Sequence, residues 1–149
     1  MVAKDLAKIL IDTFENKGKV LICGNGGSAT QSSHFADELI SKYKEIRQPL
    51  PAIALTDVGV ITAIGNDFGF DQIFSRQILA LGNKGDLLIA ISTSGKSENV
   101  NNVIAMAHFK GMQVIEWPRQ GEDIGKIQGY QLALMHDTCA VIEAYYANK

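Results

Sequence analysis

The sequence predicts an α/β fold: a three-layer sandwich in which a central, mainly parallel sheet is flanked by helices. Three observations predict it. Short apolar runs recur at Lys19–Cys23, Ala52–Leu55, Asp86–Ile91 and Gly111–Ile115. Segments with apolar residues at helical spacing lie between them. The run Leu87-Leu88-Ile89-Ala90-Ile91 is continuous enough to be buried on both faces, as a parallel strand requires. Such alternation calls for right-handed crossovers that cover the sheet on each side. At 149 residues the chain reads as one domain over 1–149, with no repeat, linker or low-complexity segment.

Taken in order, Val2–Asn16 sets Leu6, Ile9, Leu10 and Phe14 at helical spacing among Lys, Asp and Glu, and the Asn16-Lys17-Gly18 turn ends it. The first strand, Lys19–Cys23, leads through Gly24-Asn25-Gly26-Gly27-Ser28 into a helix expected from about Ser28 to Lys44. Pro49-Leu50-Pro51 breaks the chain before the second strand. Val60, Ile61 and Ile64 fit one helical turn, and Gly65-Asn66-Asp67-Phe68-Gly69 signals a turn. A helix is expected over Asp71–Leu81, with Ile73, Phe74, Ile78 and Leu81 on its apolar face. The third strand and the polar turn 92–97 precede a helix over Glu98–Lys110. The fourth strand and an irregular stretch, Glu116–Gly125, precede a last helix over about 127–147.

Composition narrows the function classes. A formal net charge of −2 gives no nucleic-acid footprint. Lys42, Lys44 and Arg47 form a local basic run expected to be a solvated loop. Cys23 and Cys139 have apolar neighbours and read as core fillers in a reducing compartment. The opening run carries Lys4, Asp5, Lys8 and Asp12 among its apolar positions, unlike a secretion signal. No apolar stretch is long enough to span a bilayer. A cytoplasmic protein without nucleic-acid or membrane partners is the expectation.

Ligands of open parallel sheets bind beyond the carboxyl ends of the strands, and three polar turns bear on that edge. The first, 24–28, combines glycines that admit close backbone approach with Asn25 and Ser28, which offer hydrogen bonds at a helix start. It fits neither the dinucleotide fingerprint nor the P-loop. The third is the most telling, because Ser92, Thr93, Ser94 and Ser97 place four hydroxyls around Gly95 at a strand-to-helix junction. A helix cap uses one hydroxyl, not four, and no carboxylate within the turn repels an anion. The pattern points to a phosphate or sugar phosphate. On the helix after the first turn, His34 and Glu38 are four apart and share a face.

GNGGS followed by HFADEL, then LPAIALTD, TAIGNDFGF, FSRQ and ISTSGKS, closely resembles the phosphoheptose isomerases of the sugar isomerase (SIS) superfamily. The match runs from about Lys19 to Ile115 and resumes from Ile127-Gln128 through Glu143. The resemblance implies a SIS fold, doubly wound and flavodoxin-like. It also implies interconversion of sedoheptulose 7-phosphate and D-glycero-D-manno-heptose 7-phosphate through an enediol, in bacterial ADP-heptose and lipopolysaccharide precursor supply. Homotetramers with sites between subunits are implied, and one zinc per site. By position, Ser92, Thr93, Ser94 and Ser97 resemble the family's phosphate loop; Asn25, Gly26, Gly27 and Ser28 resemble the first substrate turn; Asn66 and Asp67 resemble the second. His34, Glu38, Gln128 and His136 match the metal-holding positions, Gln128 also facing substrate, and Glu38 and His136 match the pair assigned to proton transfer. Those residue types suit the chemistry, which needs a base, a group serving the oxygens, and stabilisation of negative charge.

The chain departs from the family pattern in three places. The family has a longer N-terminal helical region. Where it has a loop, short helix and further strand after the fourth strand, here only Glu116–Gly125 connects. Lys126 and Gly129 stand where the family motif has Arg and Glu. Two other readings compete with the isomerase. One is a non-catalytic SIS protein that binds phosphosugar for regulation, like the replication-initiator-associated members, which lack the equivalents of Glu38 and His136. The other is an enzyme acting on a different phosphosugar, such as a hexosamine phosphate.

Overall fold

The computed structural model describes residues 1–149, and its sheet is built outward from the apolar run after Gly18. Val20–Cys23 (β1) is buried at every position, as is Leu87–Ala90 (β3), which pairs with it in parallel from Val20↔Leu87 to Cys23↔Ala90. Ala52–Ala54 (β2) adds to the other side of β1, and Gln113–Glu116 (β4) to the outer side of β3. The order β2-β1-β3-β4 is parallel throughout, matching the expected mainly parallel sheet.

Alternating residues of the inner strands face opposite layers. Val20, Ile22, Leu87 and Ile89 pack with helices Ala3–Glu15 (α1), Gly27–Ile40 (α2) and Ile124–Ala147 (α6). Leu21, Cys23, Leu88 and Ala90 pack with Val58–Asp67 (α3), Ser75–Leu81 (α4) and Glu98–Phe109 (α5). From β1 the chain crosses to α2 in the first layer, and from β3 it crosses to α5 in the second. The two turns therefore diverge from neighbouring strands at one level, which makes a topological switch point.

Several boundaries differ from those read in the sequence. α2 stops at Ile40, not Lys44, because the Arg47 guanidinium folds back onto the carbonyls of Glu38, Leu39 and Ser41. Arg47 is therefore buried, with 1% of its side chain exposed, and is not part of a solvated loop. The expected 71–81 helix splits into a 3₁₀ turn, Phe70–Gln72, and α4, because Asn102 Nδ2 of α5 takes the Asp71 carbonyl (3.1 Å). Gly65–Asp67 completes α3, which Asp57 caps at its start, so the turn begins at Phe68. Asp123 caps α6 three residues earlier than expected.

Candidate active site

The turn from β1 to α2 needs a backbone that few residues adopt. Gly26 has φ +57° and ψ −121°, and no side chain crowds it. Beside it, the Asn25 amide faces Asn99, in the first turn of α5. Each Nδ2 donates to the other's Oδ1, at 2.8 and 2.9 Å. Asn99 is buried, so this reciprocal pair satisfies both amides and joins the two diverging turns.

The Ile91–Ser97 turn leaves β3 at the same level, with Ile91 N–H donating to the Cys23 carbonyl (2.8 Å). Asn25, Ser28, Ser92, Thr93, Ser94 and Ser97 line a recess of about 50 Å³ with Ile91, enough for a small group. A wider cleft of about 450 Å³ adjoins it, lined by Asn25, Phe70, Asp71, Ser97, Glu98 and Asn99. A small hydroxyl-lined recess opening beside a larger polar cleft suits a phosphate with a polar body attached.

The second centre lies between α2 and α6. Gly27, Gln31, His34 and Glu38 share one face of α2. Gln31 Nε2 donates to the Gln128 carbonyl (2.9 Å), and the Gln128 amide lies against Gly27. Farther along both helices, His34 Nε2 lies 2.8 Å from Glu38 Oε1, and His136 Nε2 lies 3.8 Å from the same oxygen. The ligand atoms of His34, Glu38 and His136 all fall within 4.8 Å of one another. A tetrahedral ion bound at about 2.0–2.2 Å keeps its donors roughly 3.3–3.6 Å apart. The two measured separations bracket that figure, and two imidazoles with a carboxylate are ordinary zinc donors, so the residues present fit such an ion. Gln128 makes no hydrogen bond to the three; its backbone is tied to Gln31 instead.

Four contacts fix the stretch of α6 that carries His136 despite the short connection before it. Trp117, just after β4, is buried edge-on against Phe35 of α2 (5.1 Å between centroids), and its indole N–H donates to the Gln131 carbonyl of α6 (3.1 Å). Gln131 Nε2 in turn donates to the Ser92 carbonyl (3.1 Å), which ties α6 to the hydroxyl-rich turn. Tyr43 stacks on the His136 ring at 5.1 Å and 16°. The Tyr43 backbone is gripped by buried Glu143, whose carboxylate accepts the N–H groups of Tyr43, Lys44 and Glu45 at 2.6, 2.9 and 3.0 Å. Burial raises the Glu143 pKa, but those three donors and Arg47 outweigh it and hold it below the ordinary carboxylate value. Burial also pushes the Cys23 thiol up to about 12 and raises Cys139, so both cysteines are inert core residues, as expected.

The structure thus brings together Asn25, Ser28 and the 92–97 hydroxyls at one centre, and His34, Glu38 and His136 at the other. It does not bring Asn66 and Asp67 to either. They hydrogen-bond to each other (2.9 Å) at the exposed end of α3 and line neither cavity. Asn99, Gln131 and Tyr43 escaped the sequence reading. Asn99 lies two residues past Ser97, where an asparagine in a first helical turn carries no distinguishing signal. Tyr43 was hidden in a basic run.

Crossovers that leave neighbouring parallel strands for opposite layers beside a hydroxyl-rich turn define an α/β domain with its cleft at a topological switch point, and residues 3–116 match the SIS domain family. Among named relatives, the phosphoheptose isomerase of Campylobacter concisus is 47% identical over 156 residues, covering 93% of this chain and 82% of its own length. That of Helicobacter pylori is 43% identical, covering 98% and 85%. Its alignment runs over 163 positions against 149 residues here, so the relative holds residues without a counterpart. The structure of a phosphoheptose isomerase from Francisella tularensis superposes with a TM-score of 0.91 at 38% identity, covering 95% of this chain and 85% of that one. The chain belongs to the phosphoheptose isomerase family of SIS-domain proteins.

Proposed function

We propose that this chain is a phosphosugar aldose–ketose isomerase that interconverts sedoheptulose 7-phosphate and D-glycero-D-manno-heptose 7-phosphate. The observation that carries the proposal is the approach of Glu38 and His136, 98 positions apart in sequence, to 3.8 Å within one chain. A SIS protein serving only as a phosphosugar sensor has no need of that pairing. Glu38, only 13% exposed, takes the proton from the carbon beside the carbonyl and returns it to its neighbour through an enediol. His136 moves the proton between the two oxygens. Ser92, Thr93, Ser94 and Ser97 hold the phosphate, and Asn25, Gly26, Gly27 and Ser28 the adjoining sugar. His34, Glu38 and His136 would hold zinc with Gln128 as fourth ligand, and when bound it would polarise the sugar oxygens.

The reading includes a single SIS domain over 1–149, a cytoplasmic location and a place in ADP-heptose and lipopolysaccharide precursor supply. It also includes a homotetramer with sites between subunits. Asn66 and Asp67 support this last point, since they are substrate-binding candidates that reach no cleft of their own chain. In the test, sedoheptulose 7-phosphate is incubated with the protein in D₂O and followed by NMR. The aldose should form and carry solvent deuterium beside its carbonyl. Binding of the ketose without any aldose would leave a phosphosugar-binding protein instead.

A further inference from the structure

The connection from β4 to α6 delivers one more group to the hydroxyl-rich turn. Trp117 N–H donates to the Ala90 carbonyl (2.8 Å) as the last rung between β3 and β4, and the chain leaves the sheet beyond it. Arg119 follows, three residues past the end of the SIS-family match. Its guanidinium lies face-on against Gly95: a Cβ there would meet Cζ at 2.6 Å and Nη2 at 2.5 Å, with Nη1 also in contact. Gly95 also has φ +68°, so backbone conformation and close approach both keep residue 95 bare. Arg119 is exposed and takes part in none of the chain's ion pairs.

The turn carries one cation, the exposed ammonium of Lys96, and no planar fork of donors such as a guanidinium supplies. Its serine and threonine hydroxyls are neutral, and two of its own N–H groups are taken internally, Gly95 by Ser92 Oγ (2.9 Å) and Lys96 by Ser94 Oγ (3.1 Å). A phosphate monoester carries close to two negative charges at neutral pH. Asp71 and Glu98 line the adjoining cleft and oppose them. An arginine presents a planar fork of donors matched to phosphate oxygens.

We infer that Arg119 is a further phosphate ligand, reaching over Gly95 to the phosphoryl group in the Ser92–Ser97 recess and setting the affinity for dianionic sugar phosphates. The inference rests on the phosphosugar reading above and deepens it. Calorimetric titration of the whole protein with inorganic phosphate tests it without needing turnover. Arg119→Gln should weaken phosphate about tenfold at low salt, with the gap narrowing at high ionic strength. The KM for the sugar phosphate should rise by a similar factor. Ser97→Ala runs in parallel. If Ser97→Ala weakens phosphate and Arg119→Gln does not, Arg119 has no such role and the isomerase reading stands. If neither substitution changes phosphate affinity, the turn is not the phosphate site and both readings fall. Because Arg119 is exposed, an unchanged thermal melt for Arg119→Gln checks that the loss is local.

Discussion

Glu38 stands where two functions meet, since one of its oxygens faces both His34 and His136. Glu38→Gln keeps the side-chain shape but removes the base. Turnover should fall at least a hundredfold, while calorimetry shows inorganic phosphate bound about as tightly as before. Unchanged turnover would take Glu38 out of the reaction. Asn99 makes a subtler test, because it holds the Asn25 amide while itself lining the adjoining cleft. Asn99→Ala leaves the Asn25 amide without its partner, a loss of about 1–3 kcal/mol. The expected result is a higher KM for the sugar phosphate with a modest drop in melting temperature; a lower melting temperature with unchanged KM would make the pair merely structural. The four hydroxyls around Gly95 were legible in the sequence because their density exceeds what a helix cap uses. Asn99 was not, since its importance lies in a partner 74 positions away.

At the scale of elements, the helix–strand alternation was readable from periodicity, and strand identity needed only the apolar runs. What periodicity could not show was how the segment after α2 is fastened. Arg47 caps the carbonyl end of α2, and Glu143 of α6 collects three consecutive N–H groups from residues 43–45, which sets Tyr43 on His136. In sequence these residues are only a basic run and a glutamate near the C-terminus. Glu143→Gln puts an amide NH₂ among those donors, and loss of the buried charge should cost roughly 2–4 kcal/mol in chemical denaturation. Because the folded pKa of Glu143 is depressed, its contribution is complete above the unfolded value near 4.3 and is lost as pH falls through the folded value. Wild-type stability should therefore drop more steeply below about pH 4.3 than that of Glu143→Gln. Parallel acid limbs in the two proteins would mean that this carboxylate does not govern the acid response.

The whole molecule carries one feature that its own core does not explain. α3 is among the most apolar helices of the chain, yet Ile64 is its single buried residue. Val58 is 75% and Val60 40% exposed, and Phe68 and Phe70 beyond the helix are 48% and 65% exposed. A helix so apolar and so bare belongs against another surface. The second-layer helices pack beneath it through Ile64 and Ile61, so the outward side is free for a neighbouring copy. Asn66 and Asp67 close the same helix, and a copy seated there would carry that pair toward a neighbour's cleft. If the proposed homotetramer forms through this face, Val60→Glu should give smaller species in light scattering at micromolar concentration, with little change in the monomer's thermal melt, because Val60 contributes nothing to the buried core. Turnover should fall with assembly if the pair serves a neighbouring site. Smaller species with full turnover would confine the reaction to one chain and leave α3 only an assembly role, whereas unchanged assembly would place the subunit contact elsewhere.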